Sequence, residues 1–76
     1  MLTAGVKMKL SARNILKGKV IQIKPGVVNS EVVLELPGGE KVVAIITKSS
    51  AENLGLATGK PAYAIIKASS VMIGVD

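Results

Sequence analysis

Hydrogen-bond donors concentrate in three short segments of the chain: Ser11-Ala12-Arg13-Asn14, Thr47 with Ser49-Ser50, and Lys67-Ala68-Ser69-Ser70. The first offers a hydroxyl, a guanidinium fork and an amide within four residues. The second follows the apolar run ending at Ile46 and reads as the start of a short helix, where free N–H groups favour an anion. The third supplies an ammonium, backbone amides and two hydroxyls. A tetrahedral dianion wants such donors and a balancing positive charge, with no acceptor-only carboxylate beside them. Each segment alone has an ordinary reading as a cap or a solvated loop. Together they point to binding of a small oxyanion.

Other chemistry is poorly supplied. The chain has no His and no Cys, so it lacks a general acid–base near neutral pH, a thiolate nucleophile, a disulfide and the usual ligands of a structural zinc. Its carboxylates are Glu31, Glu35, Glu40, Glu52 and Asp76, and Glu31 and Glu35 read as a solvated strand face. A Ser11–Lys67 nucleophile would lack an orienting third group. The reading is therefore not an enzyme, with no cofactor and no metal. The net charge of +5 favours anionic partners, and the alternative function is an OB-fold module for single-stranded nucleic acid. Such modules stack bases on aromatic rings. Here the one aromatic residue, Tyr63, lies in an apolar run that reads as core, and the ten Lys and Arg are spread along the chain. No nucleic-acid partner is expected.

Positioning these donors falls to short strands. Residues 1–8 read as an N-terminal extension, with no role given to Met1–Lys7, and residues 9–76 as a single domain. Lys17–Lys24 reads as a first strand with imperfect alternation, turning at Pro25-Gly26. Val28–Leu36 alternates, with Val28, Ser30, Val32, Leu34 and Leu36 on one face. Pro37-Gly38-Gly39 closes a hairpin to Glu40–Thr47. Ser49–Leu56 reads as one or two helical turns, capped by Ser49 or Ser50 and ended by Gly55. Ala62–Lys67 and Val71–Val75 follow as the last strands. The expectation is an all-β fold: a small five-stranded OB-fold-like barrel with one short helix after the third strand.

A chain of 76 residues is marginal as a lone domain, and without disulfide or metal it points to oligomerisation. The runs Val42–Ile46 and Ala62–Ile66 are apolar on both alternating faces, whereas a strand buried on one side should alternate. Another subunit is the expected cover. No run approaches the ~20 apolar residues of a membrane helix, and no signal peptide is evident, so a cytoplasmic location without a membrane partner is expected.

The combination of segments resembles one known family. Ser11-Ala12-Arg13-Asn14 followed by Leu16-Lys17-Gly18-Lys19-Val20 is similar to the opening of the molbindin or Mop domain, a molybdate-binding module of TOBE type. That module also ends molybdate-responsive regulators and molybdate transporter ATPases. The likeness continues through Gly26–Val32, Ala44–Thr47, Leu54-Gly55-Leu56 and Ile66–Val71, covering about Lys9 to Val75. It implies an OB-type barrel forming a hexamer as a trimer of dimers, with molybdate or tungstate held at subunit interfaces for storage or homeostasis of molybdenum. By the same resemblance Ser11, Ala12 and Arg13 face the anion. Thr47 and Ser50 match the hydroxyls after the third strand. Lys67 and the amide of Ala68 match the positive group on the fourth, with Ser69 beside it. The Gly26-Val27 loop is the candidate for a second oxyanion site. Molybdate and sulfate are fully ionised at neutral pH while phosphate keeps a proton, so a donor-only site disfavours phosphate.

Overall fold

The computed structural model describes Ser11 and residues 13–76; the expected extension over residues 1–8 and the candidate Ala12 lie outside the described residues. The elements in chain order are β1 (Asn14–Pro25), β2 (Asn29–Glu35), β3 (Lys41–Thr47), α1 (Lys48–Asn53), β4 (Pro61–Ile66) and a 3-10 turn over Ala68–Ser70. They form one antiparallel sheet in the order β3-β2-β1-β4.

β1 is the organising element. Its first half pairs with β4, from Asn14 opposite Ile66 to Lys19 opposite Pro61. Its second half pairs with β2, from Lys19 opposite Glu35 to Pro25 opposite Ser30. Gly18 sits where the partners change. A Cβ there would lie 2.8 Å from the Glu35 carbonyl oxygen, so β1 can approach β2 this closely only without a side chain. Between Val20 and Gln22 the register slips, leaving Ile21 as the extra residue of a bulge. The bulge accounts for the imperfect alternation in the sequence. It also bends the strand, which curls the sheet into a half-barrel.

The concave face carries a small core of Val20, Val32, Leu34 and Ala64, with Ile23, Val42, Ile46, Leu56 and Ala62 packed against it. The expected inward face of β2 is present, since Ser30, Val32 and Leu34 are all buried. Both sides of β3 and β4 are apolar, and on the outer face Val43 and Ile45 are more than half exposed. Tyr63 corrects the core expectation. Its register opposite Lys17 turns it to the outer face, where it is half exposed under the Lys17 ammonium, 6.0 Å from the ring centre.

Two further expectations change. The fifth strand is absent among the described residues: Val71–Asp76 pairs with nothing there and is exposed. The cap of α1 is Thr47 rather than Ser49 or Ser50. Strand β3 holds Thr47 in extended backbone opposite Asn29, the geometry an N-cap needs, while Ser49 and Ser50 are already helical.

Candidate oxyanion site

The two cationic segments meet at one end of the sheet. Asn14 opposite Ile66 is the last pair of β1 and β4, so the next residue along each strand is Arg13 and Lys67 respectively. The side chain of Asn14, one of the candidate donors, is used here structurally: its Nδ2 donates to the Ile66 carbonyl at 3.3 Å. That bond ties the start of β1 to the end of β4. Arg13 and Lys67 are both exposed, as is Ser11. Neither β1 nor β4 contains an acidic residue, so no carboxylate on these strands competes for the cations. After Lys67 the chain enters the 3-10 turn, with the Ser70 amide donating to the Lys67 carbonyl at 2.8 Å and the Val71 amide to the Ala68 carbonyl at 3.3 Å. Ser69 and Ala68 lie exposed on this turn.

The hydroxyl segment lies elsewhere. Thr47 pairs with Asn29 at the start of β2, and Ser30 beside it pairs with Pro25 at the far end of β1. The two groups are thus at opposite ends of a 12-residue strand, a contour of about 36 Å at about 3.3 Å per residue. Within the segment Thr47 Oγ1 accepts from the Ser50 amide at 3.1 Å and donates to Ser50 Oγ at 2.8 Å, with Ser49 Oγ 3.4 Å away. The Thr47 proton is therefore committed to the cap, while those of Ser50 and Ser49 can turn outward. The expectation of free amides at the helix start is only partly met. The Lys48 amide donates to the Val28 carbonyl at 2.8 Å and the Ser50 amide is taken by Thr47.

Gly26 and Val27, the second candidate, form the tip of the β1–β2 turn. The Gly26 amide donates to the Asn29 carbonyl at 2.8 Å, which occupies the donor an anion would need, and a Cβ on Gly26 would collide with that same carbonyl oxygen. Val27 is exposed.

The TOBE domain family model matches residues 10–73, nearly the whole described chain and both cationic segments. The chain is a Mop-type member of the TOBE domain family. The molybdenum-pterin-binding protein 3 of Clostridium pasteurianum is 53% identical over 66 residues, spanning 87% of this chain and 97% of that protein. Among solved structures, MopII from Clostridium pasteurianum superposes with a TM-score of 0.83 at 49% identity, covering 88% of this chain and all of that one. ModG, described as a cytoplasmic molybdate-binding protein and solved with molybdate bound, gives 0.87 at 49% identity, covering 91% of this chain and 49% of that one. These TOBE-type relatives share the mostly β fold with one short helix. Donor groups at the two ends of β1 were readable from residue type alone. Their separation was not, because it depends on which half of β1 each neighbour pairs with.

Proposed function

We propose that this chain binds molybdate or tungstate, in the cytoplasm and as a homo-oligomer, for storage or homeostasis of molybdenum, and that it is a binding protein and not an enzyme. The observation that carries the reading is that Arg13 and Lys67 each lie one residue beyond the Asn14–Ile66 pair at an acid-free strand end, followed by the exposed residues Ala68 and Ser69. A guanidinium fork and an ammonium at the same strand end would balance the two charges of the dianion, and charge-assisted hydrogen bonds are the strong ones. Ser50, held by its bond from Thr47, would complete the shell from a neighbouring subunit, in a site at the subunit interface of a hexamer built as a trimer of dimers. Gly26 and Val27 are the proposed place for a further site, with Val27's amide rather than Gly26's as donor.

Relatives named for molybdenum-pterin raise a second ligand, a planar heterocycle. A flat ring seeks an aromatic plate, and Tyr63 lies on the outer face under Lys17 rather than beside the donor segments. The same lack of stacking surface weighs against single-stranded nucleic acid. The test is calorimetric titration with molybdate, tungstate, sulfate, phosphate, a reduced pterin and a DNA oligonucleotide. Molybdate and tungstate should bind, and excess phosphate should not displace them. Tighter binding of phosphate, the pterin or DNA than of molybdate would overturn the reading.

A further inference from the structure

The cationic end of the sheet has little to hold it. The ladder between β1 and β4 stops at Asn14 opposite Ile66, and Arg13 and Lys67 lie beyond it, both exposed. Element ends open most easily in a fold, and like charges facing each other across two strands push them apart. The turn that follows brings no anchor of its own. Lys67 precedes it in extended backbone, with φ −63° and ψ 136°, and makes no side-chain cap bond. One bond crosses at this point. Asn14 Nδ2 donates to the Ile66 carbonyl at 3.3 Å from a partly buried position, joining residues 52 apart in the chain. Among the described residues it is the one side-chain hydrogen bond that runs between two strands. The carbonyl it holds belongs to the peptide group that Ile66 shares with Lys67, and the side chain that holds it sits on the residue next to Arg13. The bond therefore fastens both cationic residues where they join the sheet. It also fixes the peptide plane from which the Ala68–Ser70 turn departs.

We propose that Asn14 is a positioning residue of the oxyanion site: its carboxamide holds the Arg13 and Lys67 backbones at one spacing before the anion arrives. This rests on the molybdate reading above and names a residue that sets the affinity of that site. Asn14 acts through its two neighbours and not by contact with the anion. A small dianion is demanding of spacing, because charge-assisted bonds to its oxygens are only about 2.7–2.9 Å long. Donors already in place also lose less freedom on binding. Without the clip the anion must draw together two ends that repel each other, and the cost is read as weaker binding.

Three variants of the full chain test this by calorimetric titration with molybdate. Asn14→Ala removes the donor and should weaken binding by about three- to tenfold, the effect of one lost hydrogen bond. Asn14→Asp keeps the shape, but an ionised carboxylate only accepts, so it cannot bond the Ile66 carbonyl and it competes with the anion for the cations. It should lose at least as much as Asn14→Ala. Asn14→Gln keeps the amide donor on a longer stem and should lose less than either. Amide hydrogen exchange without ligand separates positioning from general stability. The Ser70 and Val71 amides are bonded within the turn, to the Lys67 and Ala68 carbonyls. In Asn14→Ala they should exchange faster, while the amides of Val32 and Leu34 in the core keep their rate. Unchanged molybdate affinity in Asn14→Ala would overturn the positioning role and leave the molybdate reading standing. Weaker binding with equally faster exchange at Val32 and Leu34 would make Asn14 a residue of general stability and overturn it too. A native chain that does not bind molybdate would overturn the reading on which the role rests.

Discussion

Replacing Arg13 with Ala separates an anion ligand from a structural residue. Arg13 is exposed, lies one residue before the first β1–β4 pair, and has no part in the core of Val20, Val32, Leu34 and Ala64. The clip that anchors this end of the sheet belongs to Asn14, whose side-chain bond to the Ile66 carbonyl survives the substitution. Folding stability without ligand should therefore change by no more than about 0.5 kcal/mol, as for other surface substitutions. With molybdate the balance differs. A hydrogen bond to a charged group contributes about 1.5–3 kcal/mol, so loss of the guanidinium should weaken binding by about 10- to 150-fold. Arg13→Lys keeps the charge and loses the planar fork, and should fall between the two. The assay is calorimetric titration of molybdate into the three proteins, paired with urea unfolding of each in the absence of ligand. Unchanged affinity in Arg13→Ala would refute the assignment of Arg13 to the anion. So would a loss of affinity matched by a loss of stability, which would make it a structural residue.

Thr47→Val removes the cap hydroxyl while keeping the branched shape, and should lower stability by about 1 kcal/mol in urea unfolding, with Thr47→Ser restoring most of it. Val20→Ala truncates the one fully buried large side chain among the described residues; two methyl-sized groups at about 0.8 kcal/mol each plus the cavity should cost about 2 kcal/mol or more, read as a lower melting temperature. Gly18→Ala forces a Cβ against the Glu35 carbonyl and the Leu36 side chain where β1 changes partners, and should destabilise by about 1–3 kcal/mol. Molybdate at a hundredfold excess over its dissociation constant should stabilise the native assembly by about 2.7 kcal/mol and raise its melting temperature in a thermal scan, with sulfate doing so less. An equal shift from sulfate would remove the case for a cavity sized to the larger anion.

Much of the fold was legible in residue patterns, and the misreadings share a cause. The inward face of β2 and the helix after β3 follow from local signals: alternation through Ser30, Val32 and Leu34, and an apolar run that stops at hydroxyl residues. The bulge at Ile21 was visible only as broken alternation, because a register slip is a property of two strands. Tyr63 read as core because its neighbours on both sides are apolar. Only its register opposite Lys17 puts it outside. Thr47, Ser49 and Ser50 are all competent caps, and the choice was made by where β3 stops pairing with β2. Val71–Val75 has the alternation of a strand, yet a strand exists only with a partner, and none of the described strands pairs with it.

The same dependence on partners governs the site. A strand with neighbours on different halves of its length holds them rigidly, but it also keeps apart whatever lies at its two ends. Arg13 and Lys67 share one end of β1, and Thr47 with Ser50 lies past the other. A small anion is only a few ångströms across, so it cannot touch both groups of one chain if they stay an extended strand apart. On the proposed reading, an oxyanion shell drawing on both would take each from a different copy, with the strand acting as a spacer between half-sites at its two ends. Such an arrangement couples occupancy to assembly. The anion gains its full donor set only between subunits, and two cationic ends are held together only when the anion offsets their repulsion. A chain with a core as small as Val20, Val32, Leu34 and Ala64 is marginal alone. If the anion binds only the assembled form, as proposed, ligand binding and quaternary structure would be two views of one equilibrium.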